Sequence, residues 1–335
     1  MSTYENLHGR RVNVVSSNPS NPKEGEVWYN STLGQLKGYL LGTGTWASGN
    51  NFPTPIQGSA GFGTQTAAVS GGGTPSPTLN LKTYHYDGTN WTAANDMSRA
   101  SGSPYTTAYS SGSGIQTAGW VAGGGYPTAI NLTENYNGTN WTASAAMPVT
   151  RGQGVASGPQ TAGLYSGGTT GSPPRTNLDT VFEYDGEGWT TGGSLNTART
   201  AAGGSGSNGS QTAALIVAGH SNPPAQTNKT EEYNGTSWSE VTNYPLTVSY
   251  LGFAGSQTAA LMFGGYTVGG PDLRTTVSYD GTNWTSQANM ANGRLFYQSN
   301  AGTSTAAVVF GGEDSSTGVI NSVEEFTAPV ETKTL

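Results

Sequence analysis

Residue types that often bind metals or take part in catalysis are scarce in this sequence of 335 residues. Cysteine is absent, and the histidines are His8, His85 and His220. Without cysteine, disulfides, thiolate zinc sites and cysteine-derived cofactors are excluded. The spacing of the histidines suggests no metal site, and His85 adjoins Tyr86 on a predicted strand, where a structural role is expected. The sequence therefore predicts no metal and no cofactor.

Motifs of hydrolytic enzymes are not recognisable either. There is no Gly-x-Ser-x-Gly elbow, although abundant serine leaves a Ser-His-Asp triad open. Asp87 directly precedes Gly88, which differs from the Ser-x-Asp-x-Gly-x-Thr-Trp order of the sialidase Asp-box. No acid and nucleophile pair for glycoside hydrolysis can be assigned. We therefore expect a binding or structural protein rather than an enzyme.

Two groups of polar residues are candidates for binding. The first group lies in segments that vary between otherwise similar repeats, where aromatic, polar and charged side chains could bind a sugar or a protein. Its members are Tyr126, Arg175, His220, Tyr266, Asp272 and Asp314. They form no recognisable constellation, and each of them alone is better explained as an ordinary loop residue.

The second group is four arginines that recur just before the first strand of a repeat. They are Arg99, Arg151, Arg199 and Arg294. At the mouth of a central channel they could bind an anion. The interpretation we favour is that they bond to carbonyls of neighbouring repeats and hold the ring together.

A repeat organises most of the chain. Its turn signature places an aromatic pair around Asp-Gly or Asn-Gly, at Tyr86–Trp91, Tyr136–Trp141, Tyr184–Trp189, Tyr233–Trp238 and Tyr279–Trp284. A second signature, Gln-Thr-Ala-Ala or Gln-Thr-Ala-Gly, begins at Gln65, Gln116, Gln160, Gln211 and Gln257, with a degenerate copy at Ser304. Repeats of 46 to 50 residues are typical of propeller blades.

Each repeat reads as four short strands. In the fifth, these are Leu251–Ser256, Ala259–Gly265, Thr275–Gly281 and Asn283–Ala288. Glycine after Asp or Asn favours a tight hairpin, and the flanking Tyr and Trp can pair across it. The tryptophans are expected to pack between blades rather than to stack on a ligand. We predict an all-β, six-bladed kelch-like β-propeller.

Closure of the predicted ring requires the N-terminal segment. The sixth repeat stops after Ser322–Phe326 without its tryptophan, and Trp46 stands alone before the first repeat. We expect the segment around Trp46 to supply the missing fourth strand, because closure removes exposed sheet edges. Leu36–Leu40 competes with Ser322–Phe326 for the third-strand place. The predicted divisions are an attachment arm over 1–35, with a hairpin around Ser31–Gly34, a propeller over 36–327 and a tail over 328–335.

Charge and hydropathy exclude several classes of partner. Charged residues are only 10% of the chain, its net charge is −7, and the 13 Lys and Arg are not clustered. Nucleic-acid binding, which depends on basic patches, is therefore not expected. No apolar run is long enough to span a membrane, and the polar start of the chain does not resemble a signal peptide.

The near-identical repeats, together with the segment Gly25–Leu40, resemble kelch-like repeat proteins encoded by marine and cyanobacterial phages. The resemblance covers about Gly25 to Phe326, although the five-residue Tyr–Trp interval is tighter than the usual kelch motif. It implies a virion component, such as a tail fibre, tail-tip or capsid appendage. This component would be assembled in the host cytoplasm, joined to other virion proteins through the N-terminal arm, and able to bind a host-surface glycan or protein. A homo-oligomer is also possible. The alternatives are a kelch-type interaction adaptor and, less favoured, a carbohydrate-active enzyme.

Overall fold

The computed structural model describes residues 12–20, 26–74, 81–99, 108–125, 128–171, 175–221, 225–270, 273–294 and 299–335. These ranges form short β-strands and one 3₁₀ turn, and they contain no α-helix. Within the same ranges, no helix could cross a membrane. The chain divides into unit 1, which comprises Met1–Gly44 and Thr327–Leu335, and unit 2, which is Thr45–Phe326.

Unit 1 contains a four-stranded sheet built from both ends of the chain. Its strands, in hydrogen-bonded order, are β1 (Asn13–Val15), β2 (Val27–Asn30), β3 (Gln35–Leu41) and β33 (Val330–Thr334). The hairpin expected around Ser31–Gly34 is confirmed, and Gly34 adopts a φ of 64° there. Trp28 is fully buried, and its indole Nε1 donates to Asn18 Oδ1 at 3.2 Å.

Unit 2 contains six four-stranded sheets within the described residues, numbered here along the chain. Sheet 1 is β5 (Ala60–Thr64), β6 (Ala67–Gly71), β7 (Thr83–Tyr86) and β8 (Trp91–Ala94). Sheet 2 is β9 (Ser111–Ile115), β10 (Ala118–Ala122), β11 (Thr133–Tyr136) and β12 (Trp141–Ser144). Sheet 3 is β13 (Val155–Ser157), β14 (Gly163–Ser166), β15 (Val181–Tyr184) and β16 (Trp189–Thr191).

The remaining three sheets repeat this order. Sheet 4 is β18 (Gly203–Gly204), β19 (Ala214–Val217), β22 (Thr230–Tyr233) and β23 (Trp238–Val241). Sheet 5 is β24 (Gly252–Ser256), β25 (Ala259–Phe263), β26 (Thr276–Tyr279) and β27 (Trp284–Gln287). Sheet 6 is β28 (Ser299–Gly302), β29 (Ala306–Phe310), β32 (Val323–Thr327) and β4 (Thr45–Gly49). Smaller ladders join β17 (Arg199–Thr200), β20 (His220–Ser221) and β21 (Ala225–Gln226), and β30 (Glu313–Asp314) with β31 (Gly318–Val319).

The hairpin between the third and fourth strands explains the turn signature. In sheet 5, Tyr279 is paired directly with Trp284 across the hairpin. Asp280 Oδ1 accepts hydrogen bonds from the backbone N–H groups of Thr282 and Asn283, and Gly281 adopts a φ of 90°. The short polar side chain and the glycine therefore both serve the turn, as expected for this sequence pattern.

The hydrophobic core lies between adjacent sheets. Between sheets 3 and 4, for example, Leu164 and Val181 pack with Ile216 and Tyr233. Tryptophans of the fourth strands cover the preceding sheet, as shown by Trp141, whose Nε1 donates to Thr83 Oγ1 at 2.8 Å. This arrangement agrees with the expectation that the tryptophans pack between repeats.

The glutamine of the second signature joins each sheet to the one before it. Gln116 Nε2 donates to the carbonyl oxygens of Ala68 and Tyr86 in sheet 1. Gln65 of sheet 1 donates in the same way to Ala307 and Phe326 of sheet 6, at 3.0 and 2.8 Å. The equivalent bonds begin at Gln160, Gln211 and Gln257.

The structure places the expected segment boundaries differently at both ends. Leu36–Leu40, considered as a possible third strand of the last repeat, belongs to β3 and pairs with β2 and β33. Ser322–Phe326 contributes β32 instead, and β4 with Trp46 is the fourth strand of that sheet. Unit 2 therefore begins at Thr45 rather than at residue 36, and the expected tail over 328–335 contains a strand of unit 1. Residues 1–11 of the expected arm lie outside the described ranges.

Candidate functional site

The four recurring arginines are buried, and none of them lines the central pocket of unit 2, which is described below. Arg99 Nε donates to Glu134 at 2.8 Å, and Arg99 Nη1 donates to the carbonyl oxygen of Gly123 at 2.8 Å. Arg199 pairs with Glu231, and Arg294 pairs with Glu324. The structure thus places these guanidinium groups inside the sheets rather than at a channel mouth. Their side-chain bonds are made to carboxylates and carbonyls of the sheet that each arginine precedes.

Arg151 lacks a glutamate partner and is held differently. Phe182 occupies the position of the glutamate, and its ring centroid lies 4.4 Å from the Arg151 guanidinium carbon. The guanidinium also donates to the carbonyl oxygens of Gly167 and Thr180. Burial lowers the pKa of Arg151, as it does for the other three arginines. A cation–π contact therefore takes the place of an ion pair.

Of the six loop candidates, the structure describes Arg175, His220, Tyr266 and Asp314; Tyr126 and Asp272 lie outside the described residues. Asp314 stabilises a turn, because its Oδ1 accepts hydrogen bonds from the backbone N–H groups of Ser316 and Thr317. The hydrogen bond from the Ser316 hydroxyl, together with these backbone bonds, lowers the pKa of Asp314. Tyr266 exchanges backbone hydrogen bonds with Ser249. The Asp314 side chain is therefore explained by its turn.

His220 and Arg175 lie beside residues of the central pocket. The His220 ring meets Tyr250 edge-on with centroids 5.6 Å apart, and its Nε2 lies 3.1 Å from Ser249 Oγ. Ser249 is fully buried, and its hydroxyl also accepts from Gln226. Burial lowers the pKa of His220 below its ordinary value, which favours the neutral ring. Arg175 lines a small cavity of about 10 Å³ that shares Tyr109 and Gln153 with the central pocket.

A pocket of about 110 Å³ is enclosed by the first strands of the six sheets and the residues just before them. Its polar lining includes Tyr109, Gln153, Tyr250 and Asn300. Ser59, Ser110, Ser111 and Ser299 contribute hydroxyl groups, while alanines, glycines, Leu251 and Phe253 supply apolar surface. The lining is neutral, so it can bind a ligand by hydrogen bonding and by stacking on tyrosine rings.

One equivalent position in five successive sheets forms the rim of this pocket. It lies two residues before the first strand, and all five residues have left-handed backbone conformations, with φ between 53° and 64°. They are Gly58, Tyr109, Gln153, Ala201 and Tyr250. The sixth equivalent, residue 297, lies outside the described ranges. A side chain with positive φ costs about 1–3 kcal/mol and persists only where its surroundings impose it.

Backbone hydrogen bonds between neighbouring sheets impose this conformation. The N–H of Tyr109 donates to the carbonyl oxygen of Gly58 at 2.9 Å, and that of Gln153 donates to Tyr109 at 3.2 Å. Ala201 then donates to Gln153 at 3.0 Å, and Tyr250 donates to Ala201 at 2.7 Å. A continuous chain of four backbone hydrogen bonds therefore follows the rim and fixes the backbone positions of Tyr109, Gln153 and Tyr250.

The rim residues were not among the sites predicted from the sequence. They are chemically diverse and share no motif, and four of the five are related only by a seven-residue distance to the signature glutamine. Tyr109 precedes Gln116 by seven positions, as Tyr250 precedes Gln257. Aligning the repeats on that glutamine would have shown two tyrosines and a glutamine at one position, which lines the pocket.

Comparison with known proteins supports the fold without naming a function. No family model matches the sequence, and no curated protein matches it. Among solved structures, 296 chains match. One of them, the structure of YjhT, has a TM-score of 0.65 and 14% sequence identity, and the match covers 82% of this chain and 95% of that one. This similarity supports a β-propeller-like all-β architecture, a fold that hosts many unrelated functions.

Proposed function

We propose that the six sheets of unit 2 are the blades of a closed, kelch-like propeller. Contacts between the first and last sheets support this arrangement. Besides the Gln65 bonds, Tyr86 OH of sheet 1 donates to Glu325 of sheet 6 at 2.6 Å, and Gly312 N donates to Ile56 O at 2.8 Å. Sheets 5 and 6 meet through Trp46, whose Nε1 donates to Thr276 Oγ1 at 2.9 Å.

On this scaffold, we propose that the chain is a binding module for a neutral carbohydrate and that the central pocket is its site. The observation that carries the proposal is the rim, where Tyr109, Gln153 and Tyr250 are held in left-handed conformations around a neutral pocket. Tyrosine rings stack on the apolar faces of sugars, and amide and hydroxyl groups match sugar hydroxyls. Three side chains with hydrogen-bonding groups that converge on one pocket are the arrangement expected of a binding site.

The biological setting that we propose is a bacteriophage virion. The resemblance of the repeats to phage kelch-like proteins supports this setting, and so does a site suited to a host-surface glycan. In this proposal, unit 2 carries the binding site, and unit 1 joins other virion proteins. Recognition rather than turnover is then the role of the pocket.

Titration calorimetry with a panel of neutral methyl glycosides and their oligosaccharides tests the binding proposal. Tyr109→Gly and Tyr250→Gly remove one ring each while keeping positive φ, because Gly58 already occupies the equivalent position in sheet 1. We expect each variant to lose affinity at least tenfold. Ala201→Gly is the matched control, since it changes the same rim position without removing an aromatic or polar group, and it should bind within about twofold of the wild type.

Absence of binding to every neutral sugar, or tyrosine variants that bind as well as Ala201→Gly, would refute the carbohydrate site. Release of product from a bound oligosaccharide would instead indicate an enzyme. The setting is tested separately by immunogold electron microscopy of purified phage particles with antibody to unit 2. Label on a tail or capsid appendage is expected, whereas protein confined to the lysate would contradict the virion role.

A further inference from the structure

The fourth repeat differs from the others by three additional residues near the ring axis. Gly58, Tyr109, Gln153 and Tyr250 each precede the signature glutamine of their repeat by seven positions, whereas Ala201 precedes Gln211 by ten. The additional length is used in a 3₁₀ turn over Gly206–Asn208, between β18 and β19. No 3₁₀ turn occupies this place in the other described sheets.

This turn bonds to three other sheets. Ser207 Oγ accepts a hydrogen bond from the N–H of Gly63 in sheet 1, at 3.2 Å. Asn208 Nδ2 donates to the carbonyl oxygen of Gly302 in sheet 6, at 2.6 Å. The carbonyl oxygen of Gly206 accepts from the N–H of Gly158, just beyond β13 of sheet 3, at 3.1 Å. The turn therefore extends across the axis and is anchored on several sides.

The positions of these bonds along the first strands place the turn at the bottom of the pocket. In sheet 1, the pocket is lined by Gly58, Ser59, Ala60 and Gly61, whereas the bond to the turn is made farther along the same strand, at Gly63. Sheet 6 shows the same order, since Asn300 lines the pocket and Gly302 bonds to the turn. Phe253, which also lines the pocket, lies against Gly206.

We propose that this turn closes one end of the central channel, so that the pocket admits only the terminal residue of a neutral glycan chain. The inference rests on the carbohydrate-binding function proposed above. A channel open at both ends or an open groove can hold an internal segment of a chain, whereas a closed pocket is entered end-first. A cavity of about 150 Å³ holds one benzene ring, so a pocket of about 110 Å³ can take no more than part of one terminal sugar, with the remainder of the glycan at the rim.

Chain length provides the decisive measurement. The probes are methyl glycosides of glucose, galactose, mannose and N-acetylglucosamine, the linear hexasaccharide of each sugar, and a cyclic glucan without ends. For each sugar that binds, we expect the hexasaccharide to bind within about threefold of its methyl glycoside, with one site per chain, and the cyclic glucan not to bind. Hexasaccharides that bind more than tenfold tighter, or binding of the cyclic glucan, would overturn end recognition while leaving carbohydrate binding intact. If no probe binds, the proposed function itself fails, and this inference fails with it.

Two variants test the role of the turn. Deletion of Gly206–Asn208 restores the seven-residue spacing of the other repeats, and we expect it to make hexasaccharides bind at least tenfold tighter than the corresponding methyl glycosides. Asn208→Ala removes only the bond to Gly302 and is the second variant, in case the deletion variant does not fold. It should also raise the affinity for hexasaccharides relative to that for methyl glycosides. Thr212→Ser, beyond the turn on the same hairpin, is the control and should leave the ratio unchanged. An unchanged ratio in every folded variant of the turn would contradict the proposal.

Discussion

Buried arginine–glutamate pairs are the most concentrated electrostatic feature of unit 2. Both side chains of the Arg199–Glu231 pair are fully buried. Glu231 also accepts hydrogen bonds from the backbone N–H groups of Asn196 and Thr197, so backbone donors as well as Arg199 stabilise its carboxylate. Such a pair contributes little net stability, because desolvation opposes the attraction, but breaking it leaves a charge unpaired in the core.

The fifth repeat shows how the same place is filled without charge. Val248 takes the place of Arg199: its carbonyl oxygen accepts from Gly219, as that of Arg199 accepts from Gly168. Val277 stands where Glu231 stands in sheet 4. Both valines are buried in the core cluster between sheets 4 and 5. The fold therefore accepts either a charged pair or an apolar pair at this position.

A double-mutant cycle at this pair is the residue-scale prediction. We expect Glu231→Val to lower the free energy of unfolding by about 3–5 kcal/mol, because the Arg199 guanidinium loses its buried counter-charge. The double variant with Arg199→Val imitates the fifth repeat and should recover at least about 1 kcal/mol of this loss. Urea unfolding measures the wild type, the single variants Glu231→Val and Arg199→Val, and the double variant. A double variant that is as unstable as the sum of its two single variants would contradict coupling through charge.

At the scale of elements, the glutamine signature joins adjacent sheets. Its side-chain amide donates to one carbonyl on the second strand and one on the third strand of the preceding sheet. For Gln160, these acceptors are Gly119 and Tyr136, at 2.9 and 3.4 Å. The signature thus describes a contact between sheets rather than a feature within one sheet, which explains its recurrence next to a variable first strand.

Replacing the glutamine tests this role. Gln160→Ser copies the residue found at position 304 of the sixth repeat and removes both hydrogen bonds. We expect a loss of about 1–2 kcal/mol in the free energy of unfolding, because two carbonyls lose a donor. Ser304→Ala, at the equivalent position of the repeat that lacks the glutamine, is the control and should destabilise the protein less. Equal effects of the two substitutions in thermal unfolding would show that the amide does not join the sheets.

Strands could be predicted from the sequence because their signals are local. In sheet 5, the four predicted strands overlap β24, β25, β26 and β27, and the Tyr279–Trp284 pairing follows from the hairpin turn. The sheet to which Leu36–Leu40 belongs could not be predicted from such local signals. Its partner β33 lies about 290 residues away in the sequence, and an alternating strand pattern does not specify its partner.

The site was harder to predict than the strands. Attention to loops led to Arg175 and His220, which lie beside the pocket, but not to Tyr109 or Tyr250, which line it. No sequence rule marks a tyrosine as left-handed, because that conformation is imposed by hydrogen bonds from the neighbouring sheet. The turn at Gly206–Asn208 was detectable, since counting residues between aligned positions reveals the additional three.

At the scale of the whole molecule, the proposed ring depends on a strand distant in sequence. β4 is the fourth strand of sheet 6, and Trp46 on it packs against Phe263 of sheet 5 and Phe326 of sheet 6, each at 5.2 Å between ring centroids. Without β4, the edge of β32 would expose unpaired backbone groups, a known cause of aggregation. Closure therefore has a measurable consequence for unit 2 as a separate fragment.

Two fragments test closure, one spanning 45–326 and the other 51–326, which lacks β4. We expect the longer fragment to be monomeric with a single unfolding transition. The shorter one should associate in gel filtration and unfold at least about 6 °C lower, because losing a packed tryptophan costs about 3–5 kcal/mol and each kcal/mol shifts Tm by about 2–4 °C in domains of 150–250 residues. A peptide spanning 43–52, added in trans, should restore the monomer by supplying the missing strand. If the shorter fragment is already monomeric and equally stable, β4 does not close the ring, and the sixth sheet must be completed in another way.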